Sequence, residues 1–316
     1  MHPNQIPNRL NLMIAFTNFP LCIATILIGN YYPSYLILCI VIFALLHLNQ
    51  YALLHEATHS NLHSNKKWNY ILGVISGIIF PTSFSIATLT HTKHHCCNRT
   101  DHEVFDYYYH GDSLVYKFGQ WYSVLLGGFW PVAVLGNLII FFFPGFPKSR
   151  IIQKIRSGQR MLEDMKPKDV FRIRFEIILI IGFWTFLILY FNLSFLYLFY
   201  FYIAAGVNWS TRQYITHAYS KRDVWEGAIN LKTNFIHEKI LLNGNWDLEH
   251  HLHPELPWIY LKQSAKDKKT ETSYLKQYIK MWTGPKKGTE LSPKAISLVE
   301  YFNGYKGKDN SSYNID

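Results

Sequence analysis

The stretch YLILCIVIFALLHLNQYALLHEATH, residues 35–59, decides the fold of this chain. Its first part is predominantly apolar over about 20 residues, the length that a helix needs to cross the hydrocarbon core of a bilayer. It ends in His55 and His59, which share one face of a helix because they are four residues apart. Histidines placed where a helix leaves the bilayer are candidates for a metal site at the membrane surface.

Two further clusters repeat this arrangement. One is His91-Thr92-Lys93-His94-His95 and the other is Asp247-Leu248-Glu249-His250-His251, with His217 alone between them. His91 and His95 share a helix face, while His94 lies beside them and can reach a neighbouring ion. Neutral imidazole is a common ligand for iron, copper and zinc. So many imidazoles exceed what one ion can use, and the pattern predicts a site for more than one ion.

The apolar stretches set the predicted membrane topology. They are residues 10–29, 35–54, 68–89, 121–143 and 175–207. The first two are long enough to cross and form a hairpin with a short uncharged turn around Pro33. If the histidine clusters serve one site, they must emerge on the same side of the membrane. Residues 68–89 therefore cannot cross once, and we expect them to lie in the interface or to dip and return.

The last two stretches allow two arrangements that keep the third cluster on that side. In the first arrangement, residues 121–143 cross the membrane and residues 175–207 cross it once. In the second, residues 121–143 stay interfacial, and residues 175–207 form a hairpin that turns at Asn192-Leu193-Ser194. The intervening loop, residues 148–174, carries nine basic and three acidic residues. Basic loops stay in the cytoplasm, so the hairpin is the preferred prediction.

The predicted fold is thus an all-α integral membrane protein. Four transmembrane helices form two hairpins, with interfacial helices and a cytoplasmic histidine-rich cap, so the metal site lies on the cytoplasmic face of a multi-pass protein. We divide the chain into a membrane domain, residues 1–260, and a basic cytoplasmic tail, residues 261–316, with one amphipathic helix that includes Leu275 and Trp282. The basic residues follow the topology, and no nucleic-acid-binding motif accompanies them.

Other residues near the clusters receive simpler interpretations. His47, inside the second apolar stretch, is expected to hydrogen-bond a neighbouring helix. Cys96 and Cys97 are expected to pack the wall of the site, and all four cysteines to be reduced, because no framework spacing is present. His253 is a spare candidate ligand. Acidic residues that follow the second cluster are candidates for orienting the imidazoles; they are Asp101, Glu103 and Asp106.

These motifs resemble those of the membrane fatty acid desaturase superfamily. Its members carry histidine boxes of the form H-x(3,4)-H, H-x(2,3)-H-H and H/Q-x(2,3)-H-H, and the matching residues here run in order from His55 to Pro254. The resemblance implies that the three boxes and a lone histidine after the last span ligate the metal. That ligand set is His55, His59, His91, His94, His95, His217, His250 and His251, with Asp247 at the first position of the third box.

The resemblance also implies an activity: an oxygen-dependent di-iron desaturase of fatty acid biosynthesis, which introduces a double bond into an unactivated acyl chain. Two non-haem iron ions are the implied cofactors and O2 the co-substrate, with no catalytic residue beyond the metal ligands. The implied substrate is an acyl-lipid, an acyl-CoA or an acyl carrier protein conjugate. Electrons must come from an external ferredoxin-like or cytochrome-type donor, since no haem, flavin or iron–sulfur signature occurs.

One position departs from the family pattern. The third box begins with Asp247, where the family has His or Gln. A carboxylate can ligate iron, or it can accept a hydrogen bond from a ligating imidazole, and the sequence leaves both roles open. A changed ligand shell could favour oxygen insertion. The alternative function is therefore a di-iron hydroxylase or ketolase of a lipid or carotenoid.

Two remoter alternatives come from the ligands alone. The first cluster also fits the H-E-x-x-H motif of zinc metalloproteases, with Glu56 as general base. A catalytic zinc site needs only one further protein ligand, which leaves the other clusters unexplained. A metal carrier without catalysis is disfavoured because transporters place their ligands near the middle of the membrane rather than at one face.

The topology is tested by labelling single cysteines from outside intact cells. Cysteines placed at Lys154 or Lys287 are expected to stay unlabelled because both positions face the cytoplasm in the two-hairpin arrangement. Cysteines in the turns near Pro33 and Asn192 are the positive controls and should react. Labelling at position 154 would contradict the arrangement and would require residues 121–143 to cross instead.

Overall fold

Helices dominate the protein. A computed structural model describes residues 5–156, 158–265, 270 and 272–308. The helices are α1 (Asn8–Tyr31), α2 (Leu36–Thr58), α3 (Lys66–Ile79), α4 (Phe84–Cys97), α5 (Leu114–Leu125), α6 (Phe129–Phe142), α7 (Gly158–Met161), α8 (Pro167–Tyr190), α9 (Phe195–Ile215), α10 (Phe235–Ile240), α11 (Asp247–Leu252), α12 (Trp258–Ser264), α13 (Tyr274–Met281) and α14 (Leu298–Lys308). Four short strands, β1 (Tyr107–Tyr108), β2 (Leu231–Lys232), β3 (Thr272–Ser273) and β4 (Lys286–Lys287), form the parallel pairs β1–β4 and β2–β3.

Both predicted turns are present, each between two helices, and the two turns lie side by side. The first turn joins α1 to α2, and the second, at residues 191–194, joins α8 to α9. The Tyr31 hydroxyl donates to the Phe191 carbonyl at 2.7 Å, and the Ser194 N–H donates to the Asn30 side-chain oxygen at 2.8 Å. The two turns therefore lie at the same end of the helices, and the end at which α2 carries its paired histidines is the opposite one.

Within the described residues, three helical stretches are long and apolar enough to cross a membrane: α1, Pro33–Thr58, which contains α2, and α8. The number rises to five if each of two bent helix pairs counts as one span. α9 is less apolar because it contains several tyrosines and a polar last turn and a half. The fold is thus all-helical with three to five candidate spans, and the four-span arrangement in a bilayer stays a prediction.

The two stretches predicted not to cross as single helices are both broken. α3 and α4 meet at 96°, and α5 and α6 meet at 94°. Bends of this size are what a segment needs in order to enter an apolar region and return from it. Their depth in the membrane stays a prediction, but a straight helix over residues 68–89 or 121–143 is excluded.

A buried carboxylate fixes the bend between α3 and α4. Glu176 of α8 is 1% exposed, and it accepts hydrogen bonds from the Tyr70 hydroxyl, the Ser83 hydroxyl, and both the N–H and hydroxyl of Ser85, at 2.5 to 2.8 Å. Ser83 also caps the start of α4. Because a buried charge must be compensated by hydrogen bonds, these donors and Glu176 hold one another in place. They thereby direct α4, which carries the second histidine cluster, toward the end of α2, which carries the first.

The described residues beyond residue 260 include a helix, α13, that packs onto this helical body. Met281 at the end of α13 is buried against Trp121, whose indole N–H donates to the Met281 carbonyl at 2.8 Å. The predicted amphipathic helix is α13, and its Leu275 and Ile279 side chains are exposed. The division of the chain at residue 260 is not tested by these contacts, but residues after it contribute to the core around α5 and α9.

We expect Glu176→Leu to lower the thermal unfolding midpoint of the detergent-solubilised protein. It leaves the hydroxyls of Tyr70, Ser83 and Ser85 without their acceptor, and each buried unsatisfied group costs about 1–3 kcal/mol. Lys168→Gln, an exposed change at the start of the same helix, is the matched control. Equal midpoints for the two variants would show that the carboxylate does not hold the bend.

Candidate metal centre

Four chain segments bring the predicted ligands to one end of the helices. The last turn of α2 and its cap carry the first box, and α4 carries the second. His217 is the second residue after the end of α9, and the six-residue helix α11 carries the third box. The structure places all of the sequence-predicted ligand residues in one region; they are His55, His59, His91, His94, His95, His217, Asp247, His250 and His251.

The first group of ligands consists of His55, His59, His91 and His250, whose ligand atoms all lie within 4.8 Å of one another. The Nε2 atoms of His59 and His91 are 2.7 Å apart. The ring of His55 lies 4.3 Å from that of His91 and 4.5 Å from that of His250, between centroids. Facing nitrogen lone pairs repel unless a proton or a cation lies between them, so this group suits a metal ion.

The second group consists of His94, His217 and His251, again within 4.8 Å. Their ring centroids are 4.8 to 5.1 Å apart, and the rings meet edge to face. Each of these three histidines comes from a different segment. Neighbours in sequence are therefore divided between the groups: His250 belongs to the first group and His251 to the second.

His95 lies between the two groups. Its Nε2 is 3.1 Å from that of His91 and 3.2 Å from that of His250, which directs it to the first group. Its ring centroid is 4.4 Å from that of His251. The predicted division within the second box is thus present in the geometry, since His91 and His95 face one group while His94 belongs to the other.

Outer partners fix the orientation of two imidazoles in the second group. The Nδ1 of His94 is 2.5 Å from Glu103 Oε2, and the Nδ1 of His217 is 2.9 Å from the Gly227 carbonyl oxygen. Both oxygens are acceptors, so Nδ1 carries a hydrogen in each ring, and in the neutral ring Nε2 keeps its lone pair. This arrangement, with one ring nitrogen hydrogen-bonded outward and the other free to ligate, is typical of metal-binding histidines.

Asp247 joins the second group through His217. Its Oδ2 accepts a hydrogen bond from the Thr216 hydroxyl at 2.6 Å and lies 3.2 Å from His217 Nε2. Because Nδ1 of His217 holds a hydrogen, a neutral His217 presents a lone pair to the carboxylate oxygen. A cation must lie between the two atoms, either a proton on Nε2 or a metal ion bound by both. Both roles that the sequence leaves open for Asp247, as a metal ligand or as a residue that orients His217, are compatible with this geometry.

Burial controls the protonation of the third box. It lowers the pKa of His250 and of His251 well below the usual range, and neighbouring histidines lower both further. Both rings are thus neutral near pH 7, which is the form that ligates metals. Burial also acts to raise the pKa of Asp247, but the hydrogen bond and charge of His217 outweigh it and hold that pKa well below its ordinary value.

The donor set fits the implied metal ions. Imidazole nitrogens with one carboxylate suit iron, zinc and copper, whereas a site for magnesium or calcium would be built from oxygen. Two adjacent groups, one of four histidines and one of three, also match the need for two ions rather than one. The residues therefore fit a pair of iron ions.

Other residues singled out in the sequence lie outside both groups. His47 is fully buried among aromatic rings, including Phe80 at 5.0 Å, and its ring nitrogens have no hydrogen-bond partner among the described residues. The expected hydrogen bond to a neighbouring helix is therefore wrong. His253 belongs to neither group and lies 3.7 Å from Glu255. Cys96 and Cys97 are buried behind the second box, as expected for residues that pack its wall.

Glu56, the base that a zinc protease would need, is engaged by a distant segment. Its Oε2 accepts a hydrogen bond from the Trp258 N–H at 3.1 Å, and its Oε1 lies 3.7 Å from the Nδ1 of His55. A general base must reach the metal-bound water or the substrate, and Glu56 is instead engaged in holding α12 against α2. The orientation gives the zinc protease alternative no support.

A large apolar cavity leads to the two groups. Its volume is about 890 Å³, at the upper end of the range for small-molecule sites, roughly 300–1,000 Å³. His55, His91 and His251 form part of its wall, together with many apolar side chains of α4, α5, α6 and α7. It also reaches Val115, which is 87% exposed. The cavity thus connects the outside of the protein with the histidines.

A comparison with protein-family models decides the family. The model described as fatty acid desaturase matches residues 32–284, which include all three boxes and His217. The chain belongs to the fatty acid desaturase family. The resemblance inferred from the motifs is thereby confirmed, and membership indicates an oxidoreductase-type enzyme that acts on lipid. No curated protein matches the chain at a significant level.

Several residues of the site are not evident from the desaturase motifs. Thr216 and Gly227 contact Asp247 and His217, yet neither carries a motif of its own. Asn98 lies 3.4 Å from the Nδ1 of His251, and only its position just after the second box could have indicated this. Among the three acidic candidates after that box, Glu103 contacts His94. Gln213, four residues before His217, lines the cavity and is in neither group.

Substitutions at Asp247 test its role as a ligand. The wild type is expected to bind two ions, Asp247→Asn to fall toward one ion because an amide is a weaker and uncharged ligand, and Asp247→His to keep both. Metal per chain is measured after removal of loosely bound metal. If Asp247 only orients His217, Asp247→Asn would keep both ions, with affinity or activity about 10- to 100-fold lower.

Proposed function

We propose that this protein is an oxygen-dependent acyl-chain desaturase with two iron ions. The observation that carries the proposal is the position of two adjacent histidine groups at the wall of one large apolar cavity. A site that combines an apolar cavity with histidine ligands would bring an unreactive hydrocarbon chain next to a redox-active metal. Neither a zinc protease nor a metal carrier needs an apolar cavity of such size.

The ligand residues would be divided between two ions. His55, His59, His91, His95 and His250 would hold the first, and His94, His217, His251 and Asp247 would hold the second. When bound, the irons supply the oxygen activation that removal of hydrogen from an unactivated methylene requires. The protein contributes fixed ligand orientation, through Glu103 and Gly227, and an apolar path that excludes bulk water from the reacting carbons.

The cavity is suited to an unbranched apolar chain. Its wall contains glycines of α5 and α6, and a β-carbon added at Gly119 or Gly136 would meet no atom within 4 Å. Side chains there would instead project into open space. Small residues along the cavity leave its width free for an acyl chain. The position of attack would then be set by how far the acyl chain extends past the histidines.

The polar end of the substrate belongs at the opening near Val115. The segment between α6 and α8 forms part of the cavity wall through Pro147, Ile152 and Ile155. The same segment carries basic residues, among them Lys148, Lys154 and Arg156. We propose that they contact the anionic head of an acyl-lipid, an acyl-CoA or an acyl carrier protein conjugate at the cytoplasmic face. Electrons are supplied by an external ferredoxin-like or cytochrome-type donor.

The alternative chemistry at the same site is hydroxylation or ketolation. Both start with hydrogen removal from the same chain, and they differ in whether oxygen is then transferred to carbon. The carboxylate of Asp247 among the imidazoles is the observation that favours this alternative, because a carboxylate ligand would add one negative charge to the ligand set of one ion. A carotenoid would have to thread the same cavity.

The proposal is tested by the lipid profile of a host that expresses the protein. A new double bond in the acyl chains is expected with the wild type and should be absent with His94→Ala, which removes a ligand of the second ion. A new hydroxyl or ketone in place of the double bond would support the alternative. Identical profiles for the wild type and His94→Ala, with a competent electron donor present, would contradict both.

Gly136→Phe tests the cavity independently of the metal. The added ring should fill part of the path, shift the products toward shorter chains or lower their amount at least about tenfold, and leave the metal content unchanged. Gly145→Ala, outside the cavity wall, is the control. Full activity on the same chains in Gly136→Phe would show that the substrate does not use this cavity.

A further inference from the structure

The last part of the described chain lies beyond the family-matched residues and packs behind the second histidine box. Residues 292–304, which we name the C-terminal strap, cross the end of α4. The Ile296 N–H donates to the Cys96 carbonyl at 3.0 Å, and the Asp101 N–H donates to the Ser292 hydroxyl at 3.0 Å. The carbonyls at a helix end lack partners within the helix. The strap therefore supplies a cap to the helix that carries His94 and His95.

The strap has a helix of its own with a defined start. The Glu300 N–H donates to the Ser297 hydroxyl at 3.1 Å, and the Ser297 N–H donates to the Glu300 carboxylate at 2.6 Å. This reciprocal pair is a capping box, a local signal that begins a helix in register. Gly304 in the same helix lies against Trp225, since an added β-carbon would be 2.8 Å from the indole ring. The contact leaves no room for a larger residue.

Tyr301 connects the strap to the metal centre. It is 3% exposed, and its ring lies 5.4 Å from that of His95 and 6.3 Å from the indole of Trp225, between centroids. The ring of His251 lies against His95 at 4.4 Å. The imidazole of His95 is thus in contact with Tyr301 and with His251. An imidazole has only two rotatable side-chain bonds, so two packed neighbours determine where its Nε2 points.

We propose that the C-terminal strap locks the second histidine box from behind, with Tyr301 as the positioning residue for His95. The strap also covers Cys96 and Cys97, which are 0% and 1% exposed and share a cluster with Tyr301, Ile296 and Leu298. The metal-related part of this inference rests on the proposed function. The covering of the two thiols does not depend on it, so the two can fail separately.

The test uses the full chain with Cys22→Ala and Cys39→Ala, so that only Cys96 and Cys97 can react with a small water-soluble maleimide. Tyr301→Ala and Gly304→Leu should each raise the labelling rate of the folded protein by on the order of 100-fold, because a buried aromatic contact is lost or displaced. Leucine is a better helix former than glycine, so an effect of Gly304→Leu cannot come from helix propensity. Val299→Ala, an exposed change in the same helix, is the control.

The second measurement is the iron retained per chain after a fixed exposure to chelator. Tyr301→Ala should lose iron at least about tenfold faster than wild type, while Tyr301→Phe, which keeps the ring, should behave as wild type. Unchanged labelling in both Tyr301→Ala and Gly304→Leu would overturn the strap. Raised labelling with wild-type iron retention would overturn the positioning role of Tyr301. A wild type that binds no iron, with labelling as expected, would overturn the proposed function and leave the strap standing.

Discussion

The convergence of buried imidazole nitrogens is the constraint on which the rest of the structure depends. Nitrogen atoms as close as 2.7 Å, as in His59 and His91, are stable only with a hydrogen or a cation between them. In either case the protein must hold the rings together, since a loose set would separate. The helix ends, the capped turns and the outer hydrogen bonds of His94 and His217 all serve to keep these lone pairs facing one another.

The bend between α3 and α4 is the structural element that makes this convergence possible. A straight continuation of α3 would carry the second box away from the first, whereas a turn of 96° brings α4 back alongside the end of α2. Glu176 contributes to holding this bend, since it accepts hydrogen bonds from Ser83 and Ser85 at the start of α4. A carboxylate far from the histidine groups in sequence thus supports their geometry.

Local signals made the ligand pairs and the helix turns predictable from the sequence. Residues four apart share a helix face, as His91 and His95 do. The charges that flank the apolar stretches limit the possible membrane topologies, and they are consistent with a turn near Pro33. Contacts between distant segments gave no such signal. Glu176 is a single charge in an apolar stretch, and only its hydrogen-bond donors reveal that it is a clamp. Tyr301 lies far beyond the third box, and no spacing rule connects it with His95.

The distribution of the ligands along the chain has a consequence for biosynthesis. The first group cannot be completed until His250 has been made, although His55 is made early. At a translation rate of about 5–20 residues per second, the interval between the synthesis of His55 and that of His250 is tens of seconds at most. During that interval the early histidines have no partners from α11. In the proposed di-iron enzyme, both sites are therefore completed only after α11 has been made, and the helices before it are synthesised without a complete site to join them.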